Sequence, residues 1–292
     1  MADIVYLNGE LLPRHQACLS PFDHGFLYGY GLFETMRAYG GRVFRLGLHL
    51  ERLQRSARFL GLALEGLELE KAVVDTLRAN GLADARLRLT VSAGEGQAIP
   101  DPATCRGPTV LVTATSYQPP SPQSYQSGWT AITSSICRNS RSPLCQMKGI
   151  AYIDSVLARR QARAAGADEA LLLNEKGLLA EASTSNLFLV EGSLLLTPRD
   201  EDGALAGITR AAVFELSPAL GLSAAQASLM PSGLAAASEV FVTSSLIEIM
   251  PLVRVDDKTI GSGAPGPVTQ RLAEAYREMV KRETGTTLIP QA

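Results

Sequence analysis

The stretch YQPPSPQSYQSG, Tyr117 to Gly128, decides how the rest of the chain divides. Its proline, serine and glutamine content departs from the text on either side, and such composition suits a spacer better than a core element. It predicts a linker over 118–128, with a small N-terminal α/β domain over 1–117 and a larger one over 129–292. On the N-terminal side, Asn8-Gly9 between Ile4–Leu7 and Leu11–Arg14 predicts a hairpin. RLGLHLERLQRSARFLGL (45–62) sets Leu46, Leu50, Leu53, Ala57 and Leu60 at helical spacing. A second helix runs from Leu67 to a stop at Asn80-Gly81, and strands follow over 86–92 and 109–115. On the C-terminal side, strands are expected over 130–135, 169–173, 185–190, 193–197 and 239–243, and helices over 150–164, 209–220 and 268–282. The alternation is irregular and free of repeats, so two mixed α/β (α+β) domains fit better than one doubly wound sheet.

The 292 residues are 46% hydrophobic and 19% charged, with a net charge of -2. That is globular composition. It carries no basic cluster for nucleic acid. The most apolar stretch, Leu234 to Val253, is broken by Glu239 and Glu248, so no membrane span is expected. The start MADIVYLNGE lacks the layout of a secretory signal, and a cytoplasmic location is expected. Cys18, Cys105, Cys137 and Cys145 match neither a zinc nor a redox spacing and read as idle thiols. His15, His24 and His49 form no compact ligand motif, and no metal is expected.

Lysine is scarce: Lys71, Lys148, Lys176, Lys258 and Lys281 stand against 22 arginines. Lys148 alone has an apolar setting, between Met147 and Gly149-Ile150-Ala151 at the edge of an expected helix. Burial lowers an ammonium pKa, and imine chemistry near neutral pH needs that shift. A lysine snorkelling from a helix start would look the same. Gly207-Ile208-Thr209 opens a helix with free amides and a hydroxyl, which suits a phosphate as well as it suits ordinary capping. Thr243-Ser244-Ser245 ends a strand with three hydroxyls. Glu181, in AEASTSNLF, could keep a pyridine nitrogen protonated or could simply be solvated. The literal dinucleotide fingerprint at 261–266, GSGAPG, has only 26 residues after it. That is too few for a βαβ unit.

Six segments in order resemble one family: SPFDHGFLYGYGLFETMRAY (20–39), HLERL (49–53), QMKGIAYIDSVLAR (146–159), ADEALLLNEKGLLAEASTSNLFLV (167–190), LAGITR (205–210) and SEVFVTSSLIEIMPL (238–252). They look like the class IV aminotransferases, the fold-type IV pyridoxal 5′-phosphate enzymes, which include branched-chain and D-amino acid aminotransferases and 4-amino-4-deoxychorismate lyases. The resemblance implies pyridoxal 5′-phosphate as cofactor, a small-molecule amino substrate and a homodimer. It implies Lys148 as the imine-forming lysine that also moves the substrate α-proton, and Glu181 on the pyridine nitrogen. Arg52 would clamp the phosphate with Ile208, Thr209 and Ser244 or Ser245, and Leu205 would lie against the ring.

Two reactions stay open. Phe33-Glu34-Thr35 and SPFDHGFLYG resemble the lyase branch, in which Thr35 would help relay a proton. The expected reaction is therefore elimination of pyruvate to give 4-aminobenzoate. Tyr28, Phe33 and Arg88 would line the substrate pocket, and Tyr28 and Arg88 match branched-chain aminotransferases, which keeps amino transfer to a 2-keto acid as the alternative. The D-amino acid branch has an Arg-x-His trap where this chain reads AGEGQAIPDP (93–102). Tyr30 stands where the family has Asp. Tyr152 precedes by one residue the position, here Ile153, where branched-chain enzymes place a tyrosine for the cofactor's phenolic oxygen.

Overall fold

Asn8 and Gly9 turn the chain as their types dictate: both take positive φ, 47° and 106°. They join β1 (Ile4–Leu7) to β2 (Glu10–Pro13) in an antiparallel hairpin. The structure is a computed structural model that describes residues 3–286. After the hairpin come α1 (His24–Tyr28), β3 (Gly31–Tyr39), β4 (Arg42–Val43), α2 (Leu46–Leu60), α3 (Leu69–Ala79), β5 (Ala85–Ser92) and β6 (Thr109–Ser116). The strands form one antiparallel sheet in the order β2-β1-β6-β5-β3-β4. The apolar stripes of α2 and α3 close its core, with Leu53, Ala57, Val73 and Leu77 against Leu32, Met36, Leu87 and Leu89. The sequence pattern hides β3, since eight of its nine residues are buried and no alternation shows.

The chain divides into two units. The first holds the described residues up to Gln118, Met147–Ala151 and the described residues from Val280 onward. Residues 147–151 extend its sheet. Phe33 N donates to Lys148 O at 2.9 Å, Ile150 N donates to Gly31 O at 3.0 Å, and Leu32 bridges Gly149 in antiparallel fashion. Lys148 therefore sits on an extended segment. The helix expected from Ile150 begins only at Ile153, because the amide of Ile150 is bonded to β3. Gly31 permits the fit, since a Cβ there would lie 2.5 Å from Val91 O and 2.9 Å from Ile150 Cδ1.

The second unit comprises Pro119–Gln146 and Tyr152–Met279. Part of the predicted linker is helical: α4 (Pro122–Ser127) starts with Ser121 accepting from Ser124 N. Then follow β7 (Trp129–Arg138), α5 (Ile153–Ala164), β8 (Glu169–Asn174), β9 (Leu179–Ala182), β10 (Asn186–Glu191), β11 (Leu194–Pro198), α6 (Ile208–Leu216), β12 (Ser223–Ala227), α7 (Gly233–Ala236), β13 (Glu239–Ser244), β14 (Glu248–Val255), β15 (Lys258–Thr259) and α8 (Pro267–Thr284). A mixed sheet runs β12-β11-β10-β13-β14-β7-β8-β9, with β15 on β14. Its core is built from Leu171, Leu179, Leu187, Leu189, Val240, Val242 and Met250. The GSGAPG loop precedes α8, and Glu239 caps that helix by accepting from Val268 N, Thr269 N and Thr269 Oγ1. A protein carboxylate thus takes the place a dinucleotide phosphate would need. Among the described residues no helix is long and apolar enough to cross a membrane.

Candidate active site

In the first unit, β3 sorts its side chains by parity. Phe33 and Thr35 share a face with the residues paired opposite them on β5, Thr90 and Arg88. The Arg88 guanidinium lies 3.7 Å from the Phe33 ring centroid, and its Nε donates to Thr90 Oγ1 at 3.2 Å. Lys148 Nζ lies 4.7 Å from the same centroid. Three residues expected at the reacting centre, Lys148, Phe33 and Arg88, therefore meet around one aromatic ring, with Thr35 beside them in register. The negative face of the ring attracts both cations. Tyr28 ends α1, partly exposed, with its ring edge-on to His24 at 4.9 Å.

The opposite parity of β3 carries Glu34, fully buried. Arg52 grips it with a fork: Nε donates to Oε1 at 2.8 Å and Nη2 to Oε2 at 2.6 Å. His49, one turn earlier on α2, meets Oε2 through Nδ1 at 2.8 Å. A carboxylate only accepts, so Nδ1 carries the proton. Burial pushes the Glu34 carboxyl up, but the Arg52 charge and the hydrogen bonds from His49 and Arg52 outweigh it and hold the group at about 2. Burial, opposed by Glu34, lowers His49. The fork of Arg52, expected on a phosphate, is thus engaged on its Nε–Nη2 edge by Glu34. Sequence alone gives neither Glu34 nor His49 a role. The available signal is the three-residue spacing of His49 and Arg52 on one helix face.

In the second unit, both Glu181 oxygens are held. Oε2 accepts from Leu205 N at 3.0 Å, and Oε1 pairs with Arg138 Nη2 at 3.0 Å. Both side chains are nearly buried. Asn186 Nδ2 donates to Leu205 O at 2.7 Å, and a Cβ on Gly207 would lie 1.9 Å from Asn186 Oδ1, so the 205–207 loop needs glycine at its end. Gly207 then opens α6 without a side-chain cap, and Ile208 and Thr209 are both buried in its first turn. Thr243 pairs opposite Asn186, so its side chain lies on the face of the sheet from which Asn186 reaches this loop. Its buried Oγ1 has no hydrogen-bond partner. The β13–β14 turn follows, with Ser244 Oγ accepting from Ile247 N at 3.4 Å and Glu248 at φ 57°. Tyr152 donates to Ser183 O at 3.4 Å, and burial, then the Glu181 charge, raise its phenol.

These residues suit pyridoxal 5′-phosphate. An uncapped helix start, the Thr209 hydroxyl and an orphaned Thr243 hydroxyl form a donor set for a phosphate. A carboxylate fixed by a guanidinium offers an acceptor for a ring N–H. Arg138 and Asn186 carry no local signal in the sequence, because each acts through partners distant in the chain. Thr243 shows there only as one of three consecutive hydroxyls. Among the described residues no group of His, Cys, Asp and Glu could hold a metal ion.

The chain is similar to known proteins. The family described as amino-transferase class IV matches residues 31–255. A Methanocaldococcus jannaschii protein, provisionally assigned as a branched-chain-amino-acid aminotransferase, is 38% identical over 278 residues, 94% of this chain and 96% of its own. The aminodeoxychorismate lyase of Bacillus subtilis (strain 168) is 33% identical over 282 residues, 95% of each chain. The crystal structure of the T.th. branched-chain amino acid aminotransferase with pyridoxamine 5′-phosphate matches with a TM-score of 0.92 at 32% identity, over 97% of this chain and 95% of that one. Since the family match runs through both units, from the strand that bears Phe33 to the one that begins at Glu248, the chain belongs to the class IV aminotransferases.

Proposed function

We propose that this chain is a pyridoxal 5′-phosphate aminotransferase that moves an amino group between a small amino acid, branched-chain or similar, and a 2-keto acid. The observation that carries the reading is the lysine at the edge of β3. The amine of Lys148 lies 4.7 Å from the Phe33 centroid, with Arg88 on the same ring. The relative at 38% identity and the solved structure at TM-score 0.92 support amino transfer over the elimination expected from Phe33-Glu34-Thr35. Aminodeoxychorismate lyase becomes the second reading. It is favoured by Thr35 lying directly opposite Arg88 and by the lyase relative at 33% identity.

When bound, pyridoxal 5′-phosphate supplies a carbonyl carbon that takes the amino group and a ring that accepts the electron pair left by the departing α-proton. Lys148 would hold the coenzyme through Nζ and would move the proton at the substrate α-carbon. Glu181 would accept from the ring nitrogen. The amides of Ile208 and Thr209, the Thr209 hydroxyl and Ser244 or Ser245 would donate to the phosphate, while Arg52 would lend its charge. Leu205 would lie against one ring face, and Tyr152 is the candidate partner for the phenolic oxygen. Tyr28, Phe33 and Arg88 shape the substrate side, with Arg88 suited to a carboxylate. A homodimer belongs to this reading, in line with exposed Leu19, Phe22 and Phe26 on the first unit.

Mixing the yellow holoprotein with an L-amino acid and no acceptor separates the readings. An aminotransferase releases one 2-keto acid per site and stops until a second keto acid is added. Continuous pyruvate release from aminodeoxychorismate without an acceptor would establish the lyase instead. Lys148→Ala abolishes either activity and bleaches the protein.

A further inference from the structure

Arg138, the last residue of β7, ties together three pieces of the second unit. Its Nη2 pairs with Glu181 Oε1 at 3.0 Å and donates to Cys145 O at 2.7 Å, while its Nε donates to Gly203 O at 3.1 Å. Glu181 lies beside Leu205, Gly203 begins the loop that carries Leu205, and Cys145 closes the turn that leads toward Lys148 in sequence. One planar fork serves all three, which the point charge of a lysine could not do.

We propose that Arg138 is a positioning residue that aims and charge-balances Glu181, and thereby sets how firmly the coenzyme is held and how its ring nitrogen is protonated. The inference rests on the reading of Glu181 given above. With Oε1 ion-paired to Arg138 and Oε2 accepting from the Leu205 amide, the carboxylate is held at both oxygens and still has acceptor capacity for a ring N–H. Arg138 itself needs no contact with substrate or coenzyme to do this.

The test titrates apo protein with pyridoxal 5′-phosphate, following tryptophan fluorescence, and then records the pH at which the visible band of the loaded protein changes. The proteins are wild type, Arg138→Lys, Arg138→Met, Glu181→Gln and the Arg138→Met/Glu181→Gln double variant. Arg138→Met should weaken binding on the order of ten- to a hundredfold and move the pH of the spectral change, since it removes the cation paired with the Glu181 carboxylate. Arg138→Lys should recover part of both. In the Glu181→Gln background, Arg138→Met should add less than about threefold, the mark of residues acting through one another. Full additivity, or an Arg138→Met protein with wild-type affinity and spectrum, would overturn the inference. If Glu181→Gln itself changes neither readout, the assignment of Glu181 fails and this inference with it. If Arg138→Met does not yield folded apo protein by thermal denaturation, the same cycle run with Arg138→Lys decides.

Discussion

Glu34 is an ionised carboxylate sealed from water, and its charge is tolerable only because Arg52 and His49 complete it. Its pKa in the folded chain, about 2, lies below its ordinary value of 4.5, so the folded state binds fewer protons than the unfolded one. The contribution of Glu34 is therefore present above pH 4.5 and is lost as pH falls toward 2. His49, lowered from 6.5, acts in the same direction. Both shifts make acid the destabilising condition, beginning below about pH 6.5. Glu34→Gln should cost about 3–5 kcal/mol at pH 7, because it strands a buried guanidinium. Urea denaturation across pH should show that gap narrowing as pH falls below 4.5. A gap that stayed constant would mean the carboxylate charge is not what matters. The network also shows what sequence text hides: Arg52 stood out only through the family resemblance, as a candidate for a phosphate, and its partner Glu34 did not stand out at all, because inside a strand of buried neighbours only register tells which face a residue meets.

The first turn of α6 joins a legible signal to an illegible one. Gly207-Ile208-Thr209 could be recognised locally, since a helix start with free amides depends on adjacent residues alone. Asn186, which fixes the loop before it, belongs to β10 and could be found only once the strands were laid side by side. The glycine is the contact between the two. In Gly207→Ala, the added methyl would land 1.9 Å from Asn186 Oδ1 and force that side chain off Leu205. Pyridoxal 5′-phosphate should bind about tenfold more weakly or worse. The apo melting temperature should fall by only a few degrees, because a surface-near loop has moved and no core has been opened. Calorimetric titration alongside a thermal melt checks both halves. A large drop in melting temperature with unchanged affinity would assign Gly207 to stability instead of to the phosphate.

Across the whole molecule, periodicity disclosed the longer helices and the strands β1, β2, β5, β6, β7, β8, β10, β11 and β13, because local spacing determines them, and it disclosed the mixed α/β class. It did not disclose β3, or the excursion of 147–151 into the first unit's sheet, because both depend on pairing between distant segments. The exposed side chains of the first unit bear on assembly: Phe26 is 78% exposed and Phe22 and Leu19 are each 52% exposed. Single exposed apolar residues need no explanation, whereas several close together in sequence, flanking and opening α1, favour a covered surface. Sedimentation should give twice the chain mass of 31.1 kDa. Phe26→Asp should shift the species toward one chain, and a wild-type sample that sediments as one chain at micromolar concentration would refute the dimer.

Lys148 is moored by peptide groups. Because Lys148 O receives the Phe33 amide and Gly31 O receives the Ile150 amide, the anchorage does not depend on which side chains occupy 147, 149 or 150. Deuterium uptake at those two amides would therefore time how often the lysine comes adrift, and swapping either peptide nitrogen for an ester oxygen would unmoor it while leaving every side chain in place.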